Sequence, residues 1–238
     1  MTGFGGSTRK GGSRAGNDAG LSLAELLVSM MLLGIVMTIV TALFLSATQS
    51  IATARGINTN TKVASNGMNE AARVIRAGTD NPVAGNALSD PAFVSARNET
   101  LIMYAYVNLD SSAESPVMIR LTVDTNRRLV ESRWPATALS NGNWSFPAPT
   151  TSPASTRILA ETVSPQSAAP WLFTYLLANG DPLPVPTTGT FTATQLRTIA
   201  AVRVTLSVQS SPTDSKHAVT LTNAVGIPNL GIPRTVLP

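Results

Sequence analysis

The chain has 238 residues with only 13% charged side chains, a length that allows one globular domain beside a long helix. No cysteine is present, which excludes disulfides and thiolate metal sites, so any core has to hold by packing. The formal charge of +4 falls to +2, from 14 basic and 12 acidic side chains, once Arg9, Lys10, Arg14 and Asp18 near the start are set aside, and that balance makes no case for a nucleic-acid partner. Residues 1–20 are Gly-rich and basic, show no periodic apolar pattern and read as disordered.

From Leu21 the character changes. Residues 21–45 carry a single charge, Glu25. As a helix that run reaches roughly 37 Å, enough to span a hydrocarbon core of about 30 Å. A carboxylate at the centre of a bilayer costs at least about 2.5 kcal/mol, so Glu25 needs a partner to justify its place. Ser29, Thr38 and Thr41 are tolerated because hydroxyls can bond to helix carbonyls. No proline interrupts residues 21–81, and one helix is predicted over 21–77. Past Ser46 it becomes amphipathic: Ala47, Ile51 and Ala54 share a face that Ala64, Met68, Ala71 and Ile75 continue. Gly56 and Gly67 each weaken this half by about 1 kcal/mol relative to alanine. Gly78, Asp80 and Pro82 end it.

The remainder reads as strands. Residues 100–108, 118–123, 129–134, 157–163 and 173–177 are candidates, and Asp124 to Arg128 forms a hairpin loop between the second and third. Residues 200–209 alternate Val202, Val204, Leu206 and Val208 with Arg203, Thr205 and Ser207, which predicts one buried and one wet face. Residues 218–225 repeat the pattern as its antiparallel partner. Residues 135–156, rich in Pro, Ser, Thr and Asn, read as a long surface loop, with Trp144 the aromatic best placed for a contact at its tip. Trp134 and Trp171 read as core.

The segment Gly20-Leu21-Ser22-Leu23-Ala24-Glu25 before an uninterrupted apolar helix resembles the class III signal of type IV pilins and pseudopilins. Leu21 replaces the usual Phe, and Gly34 stands where the family often has a glycine, nine residues after the glutamate. An ordinary cleaved signal has an apolar core of about 7–15 residues followed by a small-residue site; this run is too long, and Ser46-Ala47-Thr48 matches such a site poorly. The resemblance implies cleavage between Gly20 and Leu21 by prepilin peptidase and N-methylation of Leu21. It implies that Glu25 drives filament assembly by pairing with the α-amine of a neighbouring Leu21, since unpaired burial of either charge is costly. The peptidase needs Gly20 for close approach to the backbone, and Ser22 serves as helix N-cap or motif filler.

The implied fold is α+β and pilin-like, a long N-terminal helix packed on an antiparallel β-sheet. The expected divisions are a cleaved leader over 1–20, the pilin helix over 21–77 with 21–45 in the membrane, and an extracytoplasmic β-rich domain over 78–238. The three leader cations favour a cytoplasmic N-terminus and a single pass, followed by transfer to the filament at the cell surface. Shorter likenesses occur in order: 73–78, 158–163 ahead of 173–175, an amphipathic strand over 196–208, and 220–225 before Asn229-Leu230. Together they look like PilW-like minor pilins and PulJ-like pseudopilins.

The chain is therefore expected to be a minor type IV pilin that primes or caps a pilus. The alternatives are a minor pseudopilin of a type II secretion system and a membrane-anchored binding module that does not polymerise. The implied partners are the peptidase, other major and minor pilins and the membrane, with DNA met only through pilus-mediated uptake. Catalysis finds no support: His217, the sole histidine, falls in a predicted loop, no Ser/His/Asp arrangement sits in a nucleophile elbow, and no phosphate-binding glycine motif occurs. Neither a metal site nor a cofactor is expected, because the aspartates are scattered and form no calcium loop.

Overall fold

Ser22 starts the first helix. Its hydroxyl oxygen accepts the Glu25 N–H at 3.2 Å and its carbonyl accepts the Leu26 N–H at 3.1 Å, so it acts as the N-cap. The computed structural model describes residues 22–107, 115–139, 142–165, 169–187, 189–211 and 217–231. The chain divides into two units, Met1–Ile51 and Ala52–Pro238. Helix α1 (Leu23–Arg76) supplies residues to both.

In the first unit the helix is apolar on every side and its large side chains are exposed, Leu27 to 59% and Phe44 to 67%. Soluble surfaces do not carry apolar patches of that extent, whereas lipid or a bundle of like helices would cover them. The hydroxyls bond back along the helix as expected. Ser29 Oγ donates to the Glu25 carbonyl at 2.7 Å, and Thr38 and Thr41 donate to the carbonyls of Gly34 and Met37 at 2.8 Å.

In the second unit α1 buries Asn60, Ala64, Gly67, Met68, Ala71 and Ile75, a stripe at helical spacing. The predicted face began earlier, yet Ala47, Ile51 and Ala54 are exposed, so periodicity overran the packed part. Asn60 is a buried polar group on this stripe. It is satisfied because its Nδ2 donates to Ser210 Oγ at 3.0 Å and to the His217 carbonyl at 3.2 Å. His217, read from the sequence as a loop residue, is half-buried.

Eleven strands and one short helix follow among the described residues. β1 (Phe93–Ala96), β2 (Thr100–Ala105), β3 (Val117–Val123), β4 (Leu129–Pro135) and β7 (Ser155–Ala160) form one antiparallel sheet in that order. β5 (Thr137–Ala138) and β6 (Trp144–Ser145) pair separately. β8 (Phe173–Leu176), β9 (Pro182–Leu183), β10 (Ala201–Val208) and β11 (Val219–Gly226) form a second sheet, ordered β11-β10-β8-β9. The architecture is thus α+β, a long N-terminal helix packed on antiparallel sheets. Leu101, Ile119 and Leu121 from the first sheet and Tyr175, Val202 and Leu206 from the second share one core with Ala64, Ala71 and Ile75 of α1. The sheets are stitched by a bridge between Val163 and Val208 and by the Ser164 N–H on the Ser207 carbonyl at 2.8 Å. Tyr175 lies edge-on to Phe93 and Phe191 and donates its hydroxyl to the Arg97 carbonyl at 2.8 Å. Its complete burial raises the phenol well above its usual range.

Two sequence expectations are corrected here. Residues 196–208 are not one strand: Ala193–Thr198 forms helix α2, and β10 begins only at Ala201. A capping box explains it, with the Gln195 N–H on Thr192 Oγ1 at 3.3 Å and the Thr192 N–H on Gln195 Oε1 at 2.9 Å. Residues 135–156 lie at the surface as expected, with none of the described ones buried, but they carry β5, β6 and the start of β7 and are not free of the sheet. Phe146 stacks on Tyr104 with ring centroids 4.5 Å apart, and Trp134, 1% exposed, donates its indole N–H to the Thr151 carbonyl at 3.2 Å. The excursion folds over the outer face of the first sheet and closes a second small core around Ile102, Met118 and Trp134. Trp144 is half-buried within β6.

Gly67 reverses a sequence expectation. A Cβ there would stand 3.0 Å from Ala160 Cβ, 3.1 Å from the Leu159 carbonyl oxygen and 3.2 Å from Leu206 Cδ2. Helix propensity favours Gly67→Ala by about 1 kcal/mol, but overpacking costs about 1–3 kcal/mol, and a strand carbonyl does not move aside as a side-chain tip does. The substitution is expected to destabilise the protein by about 1 kcal/mol in chemical denaturation. A stabilised variant would show that α1 and β7 approach less closely than this.

Candidate assembly site

Gly20 and Leu21 lie outside the described residues. Glu25 occupies the first turn of α1, three residues after the Ser22 cap, where the partial positive charge of the helix end favours a carboxylate by about 0.3–1 kcal/mol. That is less than the cost of at least about 2.5 kcal/mol for a charge deep in lipid. No ion pair to Glu25 is formed among the described residues. Its helical neighbours Leu26 and Leu27 are exposed. Glu25 is thus exposed on an otherwise apolar stretch of helix. Gly34 meets nothing within 4 Å, which leaves a flat spot where a second helix could come close.

The second unit holds a separate ionic cluster that the sequence did not reveal. Glu131 of β4 is 0% exposed and accepts from Arg133 Nε and, at 2.7 Å, from Arg157 Nη2 of β7. The same Arg157 nitrogen reaches Glu70 of α1 at 2.6 Å, and Arg73 joins Glu70 at 3.0 Å. Register brings Glu131 opposite Arg157, and no local spacing connects either residue to Glu70. The hydrogen bond from Arg157 holds the Glu70 carboxyl below its ordinary 4.5, with Arg73 adding and burial opposing. A carboxyl lowered in the fold stabilises above its unfolded value, and that stability is lost as pH falls through the lowered folded value. Glu70→Gln is expected to lower Tm slightly above about pH 4.5 and to match the wild type at lower pH, so that the acid limb flattens by the same small, solvent-screened amount. An acid limb of unchanged slope would show that Glu70 does not carry this linkage. Asp124 behaves alike: the Arg128 N–H on Oδ1 at 2.8 Å, with the Arg128 side chain on Oδ2, lowers its carboxyl and pins the β3–β4 hairpin.

Among the described residues no group of three His, Cys, Asp or Glu is placed to hold a metal ion. Residues 16–41 match a family model described as the prokaryotic N-terminal methylation motif. No curated protein matches the chain. The matched span takes in Gly20, Leu21, Glu25 and most of the apolar run over 21–45, the part that points to a structural subunit rather than an enzyme. On that motif the chain carries the class III signal of the type IV pilin and pseudopilin family, which implies processing by prepilin peptidase and assembly with other pilins.

Proposed function

We propose that this chain is a minor type IV pilin that primes or caps a pilus. The observation that carries it is Glu25: one carboxylate, directly after the signal, on an exposed helix otherwise uncharged through Leu45. Prepilin peptidase cuts between Gly20 and Leu21 and methylates Leu21. Residues 21–45 hold the subunit in the cytoplasmic membrane with its N-terminus inside, and the β-rich domain over 78–238 lies outside until extraction into the filament. A domain with sheets of five and four strands is bulky for a subunit repeated densely along a shaft, which supports a minor role.

The test is intact-mass analysis of membrane-extracted protein with and without the peptidase. The expected product begins at Leu21 with one added methyl group, and Gly20→Ala is expected to stay full-length. A product beginning at Met1 in both strains would overturn the proposal and leave an anchored module.

A further inference from the structure

The second sheet ends on an edge that nothing closes among the described residues. β11 pairs with β10 from Val219 to Gly226 without a register shift. The Thr205 N–H of β10 donates away from β11, to the Leu172 carbonyl at 2.9 Å, and the Ile227 N–H donates to the Ala200 carbonyl at 3.3 Å. Antiparallel alternation therefore turns the odd-numbered backbone of β11 toward β10 and points the N–H and C=O of Thr220, Thr222 and Ala224 off the sheet. These groups bond to no other described residue, and all three residues are exposed. The strand itself is held in place: Thr220 Oγ1 donates to Ser207 Oγ at 2.9 Å and Thr222 Oγ1 to Thr205 Oγ1 at 3.4 Å.

The other edges are guarded. β1 has four residues with an irregular pairing, and β9 has two, one of them a proline. β7 carries Arg157 and lies against Gly67 and Glu70 of α1. β11 carries no charge, no proline and no bulge. Sheets use such devices to keep a bare edge from recruiting another strand, and β11 lacks them.

We propose that β11 receives an extended, uncharged segment of another protein by strand addition. Outward N–H and C=O groups repeating every second residue match another extended backbone and little else. The two faces set the side chains of that segment. Leu221 and Val225 pack into the main core, so the incoming strand needs apolar residues beside them. Thr220, Thr222 and Ala224 lie on the opposite face and suit small or hydroxyl-bearing neighbours. A second copy is the poorer occupant. Antiparallel pairing of β11 with itself has a two-fold axis normal to the sheet, which points the two packed α1 helices in opposite directions. Chains anchored in one membrane by residues 21–45, as proposed above, keep them parallel.

The test uses the full chain in detergent micelles, titrated by fluorescence anisotropy with a labelled peptide that copies Val219–Gly226 and carries lysines beyond its C-terminus for solubility. A control peptide has proline at the positions of Thr222 and Asn223, which removes a donor from each of its edges. The first peptide is expected to bind at least about tenfold more tightly than the control. With it bound, hydrogen exchange is expected to slow about tenfold or more at Thr220, Thr222 and Ala224 and to stay unchanged at Leu221 and Asn223, whose N–H groups already face β10. In the chain, Thr222→Pro removes an outward N–H and spares the ladder with β10, so it is expected to fold and to weaken binding about tenfold or more. Should that variant fail to fold, Thr222→Lys places a charge on the exposed edge and is expected to weaken binding about threefold. Absence of binding, equal binding of the proline peptide, uniform protection along β11 or unchanged affinity in the Thr222 variant that folds would overturn the proposal. So would dimerisation of the chain through β11 without peptide, which would make a second copy the occupant. Every readout is independent of cleavage and of entry into filaments.

Discussion

Glu25→Ala is expected to be cleaved normally and to enter filaments at no more than about a tenth of the wild-type level, equivalent to about 1.4 kcal/mol. The proposed cut lies at Gly20, five residues away, so the substitution should spare it. It also removes a charge that is expensive in lipid, so membrane retention should not suffer. What would be lost is the proposed register-setting pair. The Ser22 cap and the helix end favour the Glu25 carboxylate by only about 0.3–1 kcal/mol, and no cation pairs with it among the described residues. In a low-dielectric helical bundle the amine of a neighbouring Leu21 would be left buried and unpaired, a penalty of several kcal/mol. Glu25→Gln keeps the shape without the charge and is expected to fail like alanine. The check is the ratio of subunit in sheared filaments to subunit in membranes, by immunoblot. Normal incorporation of both variants would favour an anchored module that does not polymerise.

Trp134→Ala should cost about 3–5 kcal/mol in chemical denaturation, a large part of the stability of an ordinary domain. The indole is 1% exposed, packs with Ile102 and Met118, lies under the Arg120 guanidinium and bonds to the Thr151 carbonyl. Its loss opens a cavity and unfastens residues 136–154 from the sheet. Limited proteolysis should then cut first within that excursion. A loss below about 1 kcal/mol, or first cuts elsewhere, would mean that the outer cluster folds apart from the main core.

The strands most legible in the sequence were those with one strong alternation. Val202 through Val208 marked β10, and Asp124 marked the β3–β4 turn, where its carboxylate accepts the N–H groups of Asn126 and Arg128. Legibility of the buried face, though not of the strand itself, failed where both faces are covered, as in β4, which was marked as a strand over 129–134. In β4, Leu129 through Ser132 are all buried, so Glu131 and Ser132 broke no visible pattern. It failed again at α2, where the run ahead of β10 was taken for strand although Thr192 and Gln195 already spelled a capping box.

The N-terminal part can be read from local spacing alone. An uncharged apolar run, a cap at Ser22, a glutamate and the glycine before them are local facts, and local spacing suffices to read a membrane helix and its processing signal. Tertiary contacts alone make Gly67 a contact surface rather than a weak point, let Asn60 be buried, join Arg157 to both Glu131 and Glu70, and stack Arg120 over Trp134 with no carboxylate partner among the described residues. The reason is physical: each depends on strand register or on the closest approach of segments far apart in sequence, and neither propensity nor periodicity carries that information.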